Sequence, residues 1–146
     1  MPPSSDTTAD AGWALTFGAF LLATVATFGS LFFSEIMKLP PCSLCWYQRI
    51  FMFSLPVVLL RGLLPYDAAV ARYALPLAFG GLGIAVWHTL LYIGILPEEA
   101  APCTVGVPCT QPTFTILGVL SIPVLSLLAF AGITGLLFIQ RRRISP

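Results

Sequence analysis

The run AGWALTFGAFLLATVATFGSLFFS, residues 11–34, holds no charged residue in 24 consecutive positions. About 20 apolar residues in an α-helix cross a hydrocarbon core of about 30 Å, so this run alone is long enough to span a bilayer. Three further runs lie downstream. Residues 43–60 carry one charge, Arg49; residues 73–96 carry none and one ionisable side chain, His88; residues 113–140 carry none. None alternates apolar and polar positions, and only helices or closed barrels satisfy their backbone in lipid. The sequence therefore predicts an all-α polytopic membrane protein. Residues 1–146 are expected to form a single four-helix transmembrane domain, with helices over about 12–34, 43–61, 73–96 and 113–140. Outward loops fall at 35–42 and 97–112. Pro56, Pro76 and Pro123 lie inside these helices and are expected to kink them.

Composition supports this reading. Apolar residues make up 58% of the 146 positions and charged residues 9%, against about 25% charged in a typical soluble domain. Mean hydropathy is +0.93. A soluble globule and a disordered chain are both excluded. A net charge of +1 provides no basic field for nucleic acid. The tail before the first run carries Asp6 and Asp10 but no Lys or Arg, unlike the basic start of a cleavable signal peptide. Trp13 and Tyr66 are expected at the membrane interfaces. Gly80, Gly81 and Gly83 are expected to let helices approach closely.

Orientation follows from the Lys/Arg bias. Four spans put both tails and the middle loop on one side, with Arg61, Arg72, Arg141, Arg142 and Arg143; Lys38 and Arg49 belong to the other. Both termini are expected to be cytoplasmic. All four cysteines, Cys42, Cys45, Cys103 and Cys109, then face outward, the oxidising side.

Cys42-Ser43-Leu44-Cys45 opens the second helix. Free N–H groups and the helix dipole at such a terminus stabilise thiolate, and a two-residue spacer allows a disulfide that opens and closes. Arg49 follows Cys45 by four residues, on the same helix face and about 6 Å deeper. An intramembrane cation is a functional candidate; a planar guanidinium suits a ligand carbonyl and favours the Cys45 thiolate. His88, about 12 Å inside the expected end of the third helix, is placed at a similar depth, so that Arg49 and His88 hold a flat lipid-soluble molecule from two sides. Cys103 and Cys109 form a C-x5-C loop with Gly106 between them. Each pair also admits a bland reading: a static disulfide, half a zinc site, or one zinc bound by all four thiolates. Arg49 alone would be a snorkelling residue, and His88 alone an interhelical hydrogen bond.

The segment Cys42-Ser43-Leu44-Cys45-Trp46-Tyr47-Gln48-Arg49, with Trp87-His88-Thr89, resembles the disulfide bond formation protein B (DsbB) family. The short second loop is most similar to its compact BdbC-like branch. The family works in a relay that ends on a quinone. The resemblance implies a quinone-dependent, disulfide-generating oxidoreductase in the bacterial inner (cytoplasmic) membrane. It would reoxidise an extracytoplasmic thioredoxin-fold oxidase. Cys103 and Cys109 would face that partner, and Cys42 and Cys45 the quinone, ubiquinone or menaquinone. Cys45, Arg49 and His88 would bind the quinone, with no metal. Gln48 stands where some members carry Glu and is given no role. Two other classes fit the same residues: a reductase resembling vitamin K epoxide reductase, with reverse electron flow, and a membrane scaffold with structural disulfides.

Overall fold

The computed structural model describes residues 5–100, 109, 115–116 and 120–144. Four long helices dominate it: α1 (Ser5–Leu31), α2 (Ser43–Leu63), α3 (Val70–Tyr92) and α4 (Ile122–Ile144). All four are long and apolar enough to cross a membrane. They form a ring in which α1 packs on α2 and α4, and α3 packs on the same two. The core is built from small residues with a few large ones between them. Ala19, Ala23, Ala71, Ala74, Ala78 and Ala85 surround Leu55, Leu59, Phe130, Ile133 and Leu137. Small side chains let helices approach closely, which lipid, as apolar as leucine, would not otherwise drive. Outward faces carry Val25, Phe28, Ile50, Val57, Phe79 and Leu128, all exposed, as expected of a surface that meets acyl chains.

Gly80 and Gly81 have the role read for them. A Cβ on Gly81 would lie 2.0 Å from Phe130 Cε1, and one on Gly80 2.7 Å from Phe51 Cε1. Gly83 does not share it, since a Cβ there would meet nothing within 4 Å.

Most helix ends differ from expectation by a few residues, and three regions account for the larger shifts. First, α3 starts at Val70 rather than 73 and ends at Tyr92 rather than 96. Gly94, at φ +77, takes the left-handed conformation that closes a helix. Its N–H donates to the Leu91 carbonyl and that of Ile95 to the Leu90 carbonyl (3.1 Å each), the Schellman pattern. At the start, Asp67 Oδ1 accepts the Ala69 N–H at 2.8 Å and its carbonyl accepts the Val70 N–H at 3.1 Å, so the turn itself begins the helix.

Second, α4 begins at Ile122, not 113. Two short strands, β1 (Thr115–Ile116) and β2 (Leu120–Ser121), pair antiparallel ahead of it. Pro123 therefore sits in the first turn, where its missing N–H leaves no intrahelical bond unmade, and it does not interrupt the helix. Pro56 and Pro76 do lie in helix interiors.

Third, α1 starts at Ser5 and runs into a π-helical turn, Phe32–Ile36. Lys38, at φ 55, turns the chain toward α2. Pro40 and Pro41 cannot extend a helix ladder. Cys42, with extended backbone (φ −73, ψ 170), becomes the N-cap of α2. Leu64, extended before Pro65, ends that helix.

Candidate functional site

The cap position puts both cysteines of the first pair at the helix terminus. Cys42 Sγ and Cys45 Sγ are 3.2 Å apart, and both are free thiols. Cys42 is buried and Cys45 partly so. The Cys42 thiol, which lies just outside the span, is held well below the ordinary thiol value. The largest cause is the hydrogen bond from Cys45 Sγ; burial opposes it, and His88 adds to the lowering.

His88 comes from α3. Because that helix stops at Tyr92, His88 lies four residues from its end, about 6 Å, and not about 12 Å as the longer helix implied. It reaches up to the dithiol, with Nε2 3.7 Å from Cys42 Sγ. Its other nitrogen, Nδ1, meets Gln48 Nε2 at 3.4 Å. His88 and Gln48 are 2% and 6% exposed. With the Gln48 amide donating to Nδ1, the Nε2–H donates to sulfur. Cys42 Sγ is then the acceptor of two donors, Cys45 Sγ and His88.

Arg49 is fixed by α1. Its Nε donates to Ser30 Oγ at 2.8 Å and its Nη2 to the Ser30 carbonyl at 2.9 Å. The guanidinium also lies 5.2 Å from the Trp46 ring centroid. Two charge-assisted bonds to a neighbouring helix exclude free snorkelling. Arg49 and Cys45 line the same cavity.

That cavity, about 520 Å³, collects the sequence-predicted residues Cys42, Cys45, Arg49, His88 and Cys109. Val25, Met52, Leu125 and Phe130 supply apolar walls, and Ser30 and Ser121 add hydroxyls. No Asp or Glu is among the described lining residues. Ser121 is 2% exposed, and its Oγ has no hydrogen-bond partner among the described residues. A buried orphan hydroxyl is costly unless something in the cavity meets it. Cys109 is buried, packs in one cluster with Cys42, Leu44 and Leu91, and is disulfide-bonded. A zinc held by all four thiolates is therefore not the arrangement here. Cys103 lies outside the described residues.

Three contributors escaped the sequence reading: Gln48, Ser30 and Ser121. Gln48 was findable, because a polar residue three after Cys45 shares its helix face inside an apolar span. Ser30 and Ser121 carry no such signal; only the rotation of α1 and the late start of α4 bring them to the cavity.

In chemical terms the site joins a close dithiol, one sulfur favoured as anion, to a second, disulfide-bonded cysteine on one side and an amphipathic cavity on the other. Thiol–disulfide exchange needs a thiolate with access to a disulfide sulfur, and these parts supply one.

Comparison with known proteins agrees. The model of the family DsbB, disulfide bond formation protein DsbB, matches residues 12–140. A probable disulfide formation protein of Metapseudomonas resinovorans is 44% identical over 135 residues, covering 92% of this chain and 94% of the relative. The probable disulfide formation protein C 2 of Bacillus cereus is 43% identical over 126 residues, covering 86% and 89%. The disulfide bond formation protein C of Bacillus subtilis is 40% identical over 116 residues, covering 78% and 83%. No solved structure matches. With four membrane-length helices and a dithiol at the mouth of the second, this chain belongs to the DsbB family of disulfide-generating membrane oxidoreductases.

Proposed function

We propose that the chain, as one four-helix domain, oxidises a thioredoxin-fold partner outside the bacterial cytoplasmic membrane and passes the electrons to a membrane quinone. The observation that carries this reading is the single cavity lined by Cys42, Cys45, Arg49 and Cys109. Both termini face the cytoplasm in this reading, on the Lys/Arg bias.

The residues fit a quinone. The cavity volume falls in the ~300–1,000 Å³ range of small-molecule sites. Its walls suit an apolar ring and tail. A guanidinium has five N–H donors, and Ser30 uses two from Arg49, so the others are left for a carbonyl oxygen. The orphan Ser121 hydroxyl supplies a second donor. When bound, a quinone supplies the two-electron, two-proton acceptor.

The protein's own groups divide the work. Partner thiolate attacks the loop disulfide of Cys103 and Cys109, so the partner leaves oxidised and the loop holds two thiols. The Cys109 sulfur, packed beside Cys42, then attacks the Cys42–Cys45 disulfide at Cys42. Cys45 departs as thiolate toward the Arg49 charge. Attack by the second loop thiol, whose proton passes to Cys45, releases Cys42, whose anion accepts hydrogen bonds from the Cys45 thiol and from His88. The loop disulfide is then restored and the helix pair holds both electrons. Gln48 orients the His88 ring through Nδ1, and Arg49, fixed by Ser30, sets the acceptor beside Cys45.

The test uses purified protein in detergent with a reduced thioredoxin-fold donor and a soluble quinone, followed by quinone absorbance. Cys42→Ser and Cys45→Ser are expected to abolish reduction. Cys103→Ser and Cys109→Ser are expected to block the protein donor while leaving small dithiols able to serve. A Cys45→Ser protein that still reduces quinone at the parent rate overturns the assignment. Faster turnover of quinol with oxidised partner overturns the direction.

A further inference from the structure

We infer that Cys42, Cys45 and His88 together form a three-ligand binding site for a soft d10 cation, with Zn²⁺ as the representative metal, in the state where the cysteines are reduced. The inference does not rest on the electron acceptor proposed above, because the ligand atoms alone define it. Cys42 Sγ, Cys45 Sγ and a His88 ring nitrogen all lie within 4.8 Å of one another. The two measured pairs are 3.2 Å (Sγ to Sγ) and 3.7 Å (Cys42 Sγ to His88 Nε2). Tetrahedral zinc with bonds of about 2.3 Å to sulfur and 2.0–2.1 Å to nitrogen needs separations of roughly 3.6–3.8 Å. The sulfurs must part by about half an ångström and His88 must move toward Cys45, changes within reach of side-chain rotation.

Charge selects the metal. Binding forms two metal–sulfur bonds with both cysteines as thiolates, and any proton still held by either sulfur is released. Two thiolates cancel a dication, so the product is neutral at a lip where net charge is costly. Arg49 stays with Ser30. Among the described residues no carboxylate lines the cavity, and the ligand set of two thiolates and an imidazole selects softer ions over Mg²⁺ and Ca²⁺, which take oxygen ligands.

Gln48 is the outer partner. A ligating histidine fixes its ring by a hydrogen bond from the other nitrogen, and His88 Nδ1 already meets the Gln48 amide. Metal on Nε2 puts the proton on Nδ1, and a half-turn of the amide presents its oxygen there with little change of shape. Three protein ligands leave the fourth vertex open to the cavity, as in zinc sites of the Cys2His type. Such occupancy holds the dithiol reduced and withdraws it from exchange.

The test uses the full chain carrying Cys103→Ser and Cys109→Ser, in which Cys42 and Cys45 are the remaining thiols of four. It is reduced in detergent under anaerobic conditions and titrated with Co²⁺, then Zn²⁺. One Co²⁺ per chain is expected, with thiolate charge-transfer absorption and tetrahedral d–d bands that Zn²⁺ bleaches. Oxidising the pair to a disulfide is expected to abolish binding. His88→Ala and the bulkier His88→Gln are expected to weaken it beyond the ~10–100-fold typical of an outer partner, and Gln48→Leu within that range. X-ray absorption of the zinc form of the protein with native His88 is expected to show two sulfurs and one imidazole nitrogen, and needs no further variant to fold. Octahedral cobalt, one metal per two chains, no imidazole in the zinc shell, or parent-like affinity in both His88 variants overturns the inference.

Discussion

Replacing Arg49 by His tests the site most directly. Arg49 makes two bonds to Ser30, at 2.8 and 2.9 Å, and a shorter imidazole cannot keep both. The substitution therefore removes the cation from the cavity and the tie from α2 to α1. A hydrogen bond to a charged group is worth about 1.5–3 kcal/mol. At about 1.4 kcal/mol per decade, losing one such bond to a quinone carbonyl raises the apparent quinone KM about 10- to 150-fold. Ser30→Ala is the comparison. It deletes the Oγ acceptor but keeps the backbone carbonyl, so the guanidinium stays charged and loosely held. A neutral-scale loss of about 0.5–1.5 kcal/mol predicts a KM rise of only ~2- to 10-fold. The assay is steady-state quinone reduction by purified protein at saturating reduced partner, with thermal unfolding alongside to separate site from scaffold. An Arg49→His protein with the parent KM refutes the role of Arg49 in acceptor binding. So does a Ser30→Ala KM as high as that of Arg49→His, because the charge would then contribute nothing of its own.

Gly81→Ala is expected to destabilise the bundle by about 1–3 kcal/mol, since the new Cβ meets the fully buried Phe130 ring at 2.0 Å. Gly83→Ala, with nothing within 4 Å, is expected to be neutral or stabilising by up to about 1 kcal/mol; thermal unfolding in detergent ranks the two. Ser121→Ala removes an orphan hydroxyl, so the ligand-free protein should be no less stable while quinone KM rises, which the same two assays read. Asp67 accepts bonds from the Tyr73 hydroxyl and the Ala69 N–H, which lower its carboxyl from the usual value, Tyr73 first. Its contribution is therefore complete above the ordinary carboxylate pKa of about 3.9 and is lost as pH falls through the lower folded value. Asp67→Ala is expected to lower stability slightly at neutral pH, with the difference from parent vanishing in acid unfolding.

Chain chemistry alone determined the number of spans. Long apolar runs have one solution in lipid, and run length is a local property, so residues 11–34 and 73–96 were legible without any knowledge of packing. The dithiol at the mouth of α2 was equally legible, because Pro40 and Pro41 stop a preceding helix and Cys42 starts the next. Helix ends were less so. Pro123 reads as a kink if the run is counted from 113, and as a first-turn residue once the chain ahead of it pairs as a hairpin; hydropathy is the same in both. Gly94 ended α3 four residues before the apolar run did, and so moved His88 from mid-leaflet to the dithiol. Contacts between helices were decided by tertiary structure alone. The approach of His88 to Cys42, of Ser30 to Arg49 and of Ser121 to the cavity depends on how each helix is rotated. That rotation is set by where alanines and glycines let neighbours close in, as Gly81 does for Phe130, and a uniformly apolar helix carries no periodic signal that reveals it.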